Sequence, residues 1–347
     1  MSSTTIGVIG CGYWGPNLLR NFAENEAAQL RWICDTDEAR LAAMGRRYPA
    51  AQTTTDYQKL FADAELDAVA VVTPVATHFS IAKAALLAGK HVLVEKPLTA
   101  TVREAEELIE LAEKQRRTLM VDHTFVYTGA VRKMKEILAG GGLGDLLYFD
   151  SIRINLGLFQ RDINVLWDLA PHDLSIMDYL IERQPIGLSA LGSCHIEPGI
   201  ENIAYMVMKF DDDFIAHFHF NWLAPVKIRR TLIAGTRKMI LYDDIEPTEK
   251  VRVYDKGVDT NRNSDREANY QTLISYRTGD ILAPKLDATE ALHYVVAEFL
   301  DSIRGAHRPL TDGDAGLRVV RILEAAQHSI KEGGAFQLLN AAASVPA

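Results

Sequence analysis

The chain has 347 residues, 48% of them hydrophobic and 24% charged, enough to bury sizeable cores in two domains of roughly 150 residues each. Its 37 Lys and Arg stand against 46 Asp and Glu, a formal charge of -9. That balance excludes a general nucleic-acid or anionic-membrane binder, because no cationic surplus exists to neutralise phosphates. A phosphate-bearing small molecule held in one local pocket stays open. The uncharged apolar run at residues 68–82 is too short to span a bilayer and contains Pro74. No basic segment precedes an apolar one at the N-terminus, so no secretory signal is expected. Cys11, Cys34 and Cys194 form no CxxC pair and suit a reducing compartment. The expectation is a soluble cytoplasmic protein with no membrane or nucleic-acid partner.

The first third alternates short apolar runs with helical patterns. Residues 5–9, 30–34, 68–72, 91–94 and 118–121 read as strands. Helices are expected after Pro16 and over 38–48, 81–88 and 102–117. Near-continuous apolar strands alternating with helices predict a parallel sheet covered on both faces. A first domain, 1–122, is expected to close there, with 123–347 forming the second. In that second part, 131–138 is helical and the glycines at 140–142 end it. Alternating stretches at 146–155, 203–210, 214–222 and 228–234 predict a large, mostly antiparallel sheet, with Asp211-Asp212-Asp213 as a hairpin turn. Helices over 290–304 and 315–331 close the chain, and the polar stretch 255–277 reads as an excursion, an arm or a pocket lid.

Gly10-Cys11-Gly12-Tyr13-Trp14-Gly15 is a GxGxxG run placed after a strand and before a helix. One glycine serves a tight turn, the next lets backbone approach a pyrophosphate, and the last permits close helix–strand packing. Asp35 ends the second strand twenty residues after Gly15. A carboxylate there accepts hydrogen bonds from both adenosine ribose hydroxyls and repels a 2′-phosphate, so the pattern predicts NAD in preference to NADP. A helix N-cap role for Asp35 is compatible with this. Cys11 and Cys34 read as small buried fillers near the same turn.

Glu95-Lys96-Pro97 follows the fourth strand directly. A lysine at the carboxyl end of a parallel strand points toward the crevice where open α/β sheets bind ligands. The runs Val72-Thr73-Pro74-Val75-Ala76-Thr77-His78 and Ala88-Gly89-Lys90-His91-Val92-Leu93-Val94-Glu95-Lys96-Pro97 closely resemble the glucose–fructose oxidoreductase, inositol dehydrogenase and rhizopine-catabolism (Gfo/Idh/MocA) family. Asp168-Leu169-Ala170-Pro171-His172 resembles that family's Asp-xxx-His pair, and Pro309-Leu310-Thr311-Asp312-Gly313 its closing motif. The resemblance implies a Rossmann domain plus an α/β domain with a large open sheet. It also implies hydride transfer between a sugar or polyol hydroxyl and a nicotinamide. On the same basis Lys96, Asp168 and His172 form the catalytic group, and the Lys96–Pro97 bond is cis. Gly10, Gly12, Tyr13, Trp14, Gly15, Asp35, Thr73, Pro74, His78, Glu95 and Lys96 are the expected cofactor-binding residues; no metal is expected.

The chemistry of the residue types agrees. Oxidising an alcohol needs a base on the hydroxyl, and histidine is matched to proton transfer near neutrality. Asp168 and His172 are one helical turn apart and can share a face. Lys96 can donate to the reacting oxygen and stabilise alkoxide character. A helix start with Pro171 in its first turn and Asp168 near the cap accounts for the same letters. His217 and His219 share a strand face and read as lining a pocket or a subunit contact. Arg153, Arg229 and Arg230 are candidates for an anionic substrate group.

Within the family, Gly7-Val8-Ile9-Gly10-Cys11-Gly12-Tyr13-Trp14-Gly15-Pro16-Asn17 is similar to bacterial sugar-nucleotide 3-dehydrogenases. So are Tyr276-Arg277-Thr278-Gly279-Asp280-Ile281, Pro284-Lys285-Leu286-Asp287 and Glu290. That implies oxidation of the 3-hydroxyl of UDP-N-acetylglucosamine or its uronic acid. Amination at C3 would follow, for lipid A or O-antigen sugars. A dehydrogenase of free polyols or sugars and a non-catalytic dinucleotide-binding regulator are the alternatives. An open sheet face predicts a homodimer or homotetramer.

Overall fold

In a computed structural model that describes residues 3–157, 159–260, 274–305 and 307–339, the chain forms two units. The first comprises Met1–Thr128 and Thr289–Glu324; the second comprises Gly129–Ala288 and Ala325–Ala347. The boundary therefore differs from a single cut at 122. Its reason is the closing motif: Thr311 Oγ1 donates to the Val121 carbonyl at 2.7 Å, and Val121 N–H donates back to the Thr311 carbonyl at 2.7 Å. Residues 289–324 thus return to the open edge of the first sheet.

The first unit alternates β1 (Thr4–Ile9), α1 (Gly15–Glu24), β2 (Ala28–Cys34), α2 (Glu38–Arg47), β3 (Gln52–Thr54), α3 (Gln58–Ala62), β4 (Ala68–Val71), α4 (Val75–Leu87), β5 (His91–Glu95), α5 (Val102–Gln115) and β6 (Leu119–Asp122). All six strands run parallel in the order β3-β2-β1-β4-β5-β6. The order reverses between β1 and β4, which is the switch point where doubly wound sheets open a crevice at their carboxyl ends. The strand residues of β4 and β6 are buried on both faces, as a covered parallel sheet requires. Helix ends carry their own signals. Asp37 caps α2 by accepting from Ala39 N at 2.9 Å and Arg40 N at 3.1 Å. Thr101 caps α5 by accepting from Glu104 N at 3.3 Å. The short β3 and α3 were not foreseen, and α4 begins six residues before the expected helix. Pro74 at its cap and buried His78 in its second turn supply that extension.

The second unit holds α6 (Gly129–Ala139), β7 (Leu146–Leu156), α7 (Val165–Ile181), β8 (Gly187–Ser193), β9 (Ile203–Lys209), β10 (Ile215–Asn221), β11 (Leu223–Gly235), β12 (Met239–Asp243), β13 (Val251–Thr260) and β14 (Ile274–Leu282). After α8 (Ala291–Ile303) in the first unit, α9 (Gly313–Lys331) crosses the unit boundary and β15 (Gln337–Leu338) ends the sheet. The nine strands run β14-β13-β12-β11-β7-β10-β9-β8-β15, antiparallel except for β7 with β10. Ala204, Met206, Met208, Ala216, Phe218 and Phe220 fill the face on which α7 packs. Each Met and Phe among them contributes on the order of 1.5–3 kcal/mol by leaving water. Of the polar stretch at 255–277, its two ends lie in the β13–β14 hairpin, and 261–273 fall outside the described residues. No helix among the described residues is long and apolar enough to cross a membrane.

Candidate active site

The glycine loop between β1 and α1 shows which glycines the fold needs and which a ligand would need. Gly10 sits at φ +105°, and a Cβ there would lie 2.2 Å from the Val72 carbonyl oxygen. A Cβ on Gly15 would lie 2.2 Å from the Gly10 oxygen. Gly12 differs: its would-be Cβ meets nothing closer than the Arg40 guanidinium at 3.8 Å. Packing does not demand glycine at 12, so the free space above it suits the close approach of a pyrophosphate. Trp14 caps α1 without a side-chain bond, Pro16 stands in the first turn, and no acidic residue does. The start of α1 is thus left open to an anion. Tyr13 is 89% exposed beside this loop.

Asp35 is buried at the end of β2 and does not cap α2, which is the role of Asp37. Its Oδ2 accepts from Cys11 N at 2.5 Å and its Oδ1 from Asp37 N at 2.8 Å. The carboxylate ties the glycine loop to the β2–α2 turn, and each oxygen retains a lone pair for a ribose hydroxyl. Arg40, 57% exposed, is anchored to Asp37 at 3.3 Å and overhangs Gly12. Burial first, and then the Asp35 charge, push the Cys11 and Cys34 thiols up to about 12, so both are inert fillers.

Thr73 and Pro74 lead from β4 into α4, where Thr77 Oγ1 donates to Thr73 Oγ1 at 2.7 Å. His78, expected to face the cofactor, is instead 1% exposed. Its Nε2 lies 2.7 Å from the Thr73 carbonyl and its Nδ1 2.9 Å from that of Pro97. It therefore acts as a brace between two loops, and burial holds its pKa below the ordinary imidazole value. The Lys96–Pro97 bond is cis.

Glu95 and Asp122 are paired in register at the carboxyl ends of β5 and β6. Asp122 is 1% exposed and accepts from Trp14 Nε1 at 3.3 Å and Thr124 Oγ1 at 2.6 Å. Glu95 stands beside Asp122 on the adjacent strand, and its Oε2 is buried with no donor among the described residues. Burial, then the Asp122 charge, raise the Glu95 carboxyl well above the carboxylate range against the pull of Lys96. Burial raises Asp122 too, opposed by Thr124 and Trp14. Next in sequence, His123 is buried with neither ring nitrogen hydrogen-bonded; burial and then the Lys96 charge push it down to about 3, so it is neutral. The sequence reading missed Asp122 and His123. The signal was available: the last residue of β6 is a carboxylate on the ligand-binding edge of the sheet.

In the second unit α7 carries Asp168 and His172 one turn apart. The helix starts at Val165 under an Asn164 cap that accepts from Trp167 N at 3.1 Å, so Pro171 lies inside it and not in its first turn. Trp222 Nε1 donates to Asp168 Oδ2 at 3.1 Å, and Gln160 Nε2 to Oδ1 at 3.4 Å. Two donors thereby fix that carboxylate. The next residue after His172, Asp173, takes two bonds from buried Arg153 at 2.8 and 2.9 Å, which clamps α7 to β7. Arg153 is therefore an internal strut and not a substrate ligand. Arg229 and Arg230 are likewise engaged, by Asp244 at 3.2 Å and Asp243 at 2.7 Å. His217 and His219 share the sheet face opposite α7, His217 3.5 Å from Asp150 and His219 stacked on Tyr205 at 4.3 Å. The described residues hold no group of three or more His, Cys, Asp or Glu placed to bind a metal.

Comparison with known proteins agrees with this geometry. Residues 4–123 match the oxidoreductase family with an NAD-binding Rossmann fold, and residues 131–241 match the GFO/IDH/MocA C-terminal domain. UDP-N-acetylglucosamine 3-dehydrogenase of Acidithiobacillus ferrooxidans is 29% identical over 325 residues, 90% of this chain and 93% of its own. A solved structure of that organism's UDP-N-acetylglucosamine 3-dehydrogenase, GnnA, superposes with a TM-score of 0.80 at 25% identity, covering 96% of this chain and 99% of that one. GenD2 from gentamicin A biosynthesis, solved with NAD, superposes at 0.82 with 22% identity, covering 98% and 97%, and shares the fold. The glycine loop with its unfilled space over Gly12 and the buried acids behind Lys96 are thus set in matched domains spanning most of the sequence, and the chain belongs to the Gfo/Idh/MocA family of NAD-binding oxidoreductases.

Proposed function

We propose that the protein oxidises the 3-hydroxyl of UDP-N-acetylglucosamine, or of its uronic acid, to the 3-keto sugar. The product would then be aminated at C3 for lipid A or O-antigen sugars. The observation that carries this reading is the 29% identity to a UDP-N-acetylglucosamine 3-dehydrogenase across 90% of this chain and 93% of that one. In this reading NAD, when bound, supplies the hydride acceptor. Gly12, the start of α1 and Asp35 bind its pyrophosphate and adenosine ribose. His172 takes the hydroxyl proton on a ring nitrogen, and Asp168, held by Trp222 and Gln160, favours the charged imidazole that results. Lys96 donates a hydrogen bond to the reacting oxygen as alkoxide character develops.

The test is a panel of UDP-sugars, free inositol and free glucose, followed at the nicotinamide absorbance band. UDP-N-acetylglucosamine or its uronate should give the highest kcat/KM, and deuterium should transfer to NAD from C3. Transfer from C4 or C6, or a preference for a free polyol, would reject the substrate assignment while leaving the family standing. The exposed row Leu191, Tyr205, Val207 and Ile215 on the uncovered sheet face supports pairing with a second copy. Val207→Glu should lower the mass measured by light scattering; an unchanged mass removes this face from any interface.

A further inference from the structure

Two carboxyl groups side by side in a dry environment are normally a liability, and the C-terminal edge of the first sheet holds such a pair directly before Lys96. Glu95 and Asp122 are register partners on adjacent parallel strands. Asp122 is supplied with two donors, Trp14 Nε1 and Thr124 Oγ1. Glu95 Oε2 is buried with none, so as a carboxylate oxygen it would be desolvated, in a side chain whose register partner is a like charge. A proton on the Glu95 carboxyl relieves both problems, because Glu95 can then donate to Asp122 and the pair carries a single negative charge. The Lys96 backbone N–H serves the Glu95 carboxyl but leaves Oε2 without a partner, and neither ring nitrogen of buried His123 is hydrogen-bonded.

We propose that Glu95 and Asp122 hold one proton between them, residing on Glu95, and act as positioning residues that present one negative charge to the Lys96 ammonium. The Lys96 charge acts on both groups. With neither charge present, the ammonium would stand near buried His78 and His123 with no opposite charge from this pair. Arg318 also acts on this cluster, through His123. Trp14 joins the pair to the glycine loop, so one hydrogen bond connects the pyrophosphate turn to the carboxyl pair that precedes the lysine. The proposal rests on the reading of Lys96 as a donor to the reacting oxygen, but its central statement concerns protonation of the free protein.

Infrared spectroscopy of the free protein, with Asp and Glu carboxyls isotopically labelled, reads that statement without substrate. Near neutral pH a protonated-carboxyl stretch should be present, and Asp122→Asn should abolish it, because Glu95 then ionises and accepts from the new amide. Kinetics test the consequence. The alkaline limb of the pH–rate profile reports Lys96 and the acid limb His172. Asp122→Asn still leaves one negative charge, so its alkaline limb should stay in place whatever happens to the rate. The double variant Glu95→Gln/Asp122→Asn leaves none, and the limb should fall by roughly one to three pH units, the usual effect of losing an adjacent opposite charge. Absence of the protonated-carboxyl band in the parent would overturn the proposal. So would an alkaline limb lowered as much by Asp122→Asn as by the double change. Should the double variant fail to fold, the parent band and its loss in Asp122→Asn decide the matter.

Discussion

Replacing Asp35 by serine tests the reading of the adenosine ribose site, and its magnitude can be worked from the geometry. The Asp35 oxygens accept Cys11 N at 2.5 Å and Asp37 N at 2.8 Å, which fixes the carboxylate where the second strand ends. A 2′-phosphate about 4 Å away would be repelled by roughly 4 kcal/mol at an effective dielectric near 20, or nearly three decades in kcat/KM. Arg40 reduces that figure, since its guanidinium overhangs Gly12. Being 57% exposed and already bound to Asp37, it is screened and returns only part of the energy. The expected preference of the parent for NAD over NADP is therefore about 10- to 100-fold. Serine can replace only one of the two backbone bonds, so Asp35→Ser should lower stability by about 1.5–3 kcal/mol, the usual worth of a bond to a charged group. With the charge gone and Arg40 still present, the preference should fall within roughly tenfold of parity or invert. The assay is kcat/KM for both cofactors at one ionic strength, with Tm as the control. Equal use of both by the parent, or equal loss of both in the variant, would show that Asp35 only ties the loop.

His172→Ala should depress kcat by about two to four orders of magnitude with NAD affinity unchanged by calorimetry; turnover within a few-fold of the parent would remove its role as base. Gly10→Ala should fail to give folded protein, because its Cβ would meet the Val72 carbonyl at 2.2 Å in a backbone conformation of φ +105°. Gly12→Ala should fold with the parent's Tm yet bind NAD at least about tenfold more weakly, since its methyl occupies only free space. Undiminished NAD binding by Gly12→Ala would show that this space is not used by the cofactor.

Much of this protein was legible in its letters. Local pattern determined the parallel strands, because a strand buried on both faces must be apolar throughout, and β4 and β6 are. It determined the glycine loop as well, since the conformation at Gly10 is closed to other residues wherever the loop is placed. The hairpin between β9 and β10 follows from polar residues between two alternating runs. Other features belong to contacts between distant residues. Glu95 and Asp122 stand 27 positions apart, and only the pairing of β5 with β6 makes them one group with one proton to share. Arg153 read as a ligand until β7 was found to carry it beneath α7, against Asp173. His78 read as a cofactor contact until the loops holding Thr73 and Pro97 closed around it. Residues 289–324 joined the first unit through one backbone bond and one side-chain bond between Thr311 and Val121. The sequence by itself therefore determined which backbone conformations and apolar faces are possible, because these depend on a residue and its near neighbours. The tertiary structure decided which polar groups meet and which are buried, and with that the charge each of them carries.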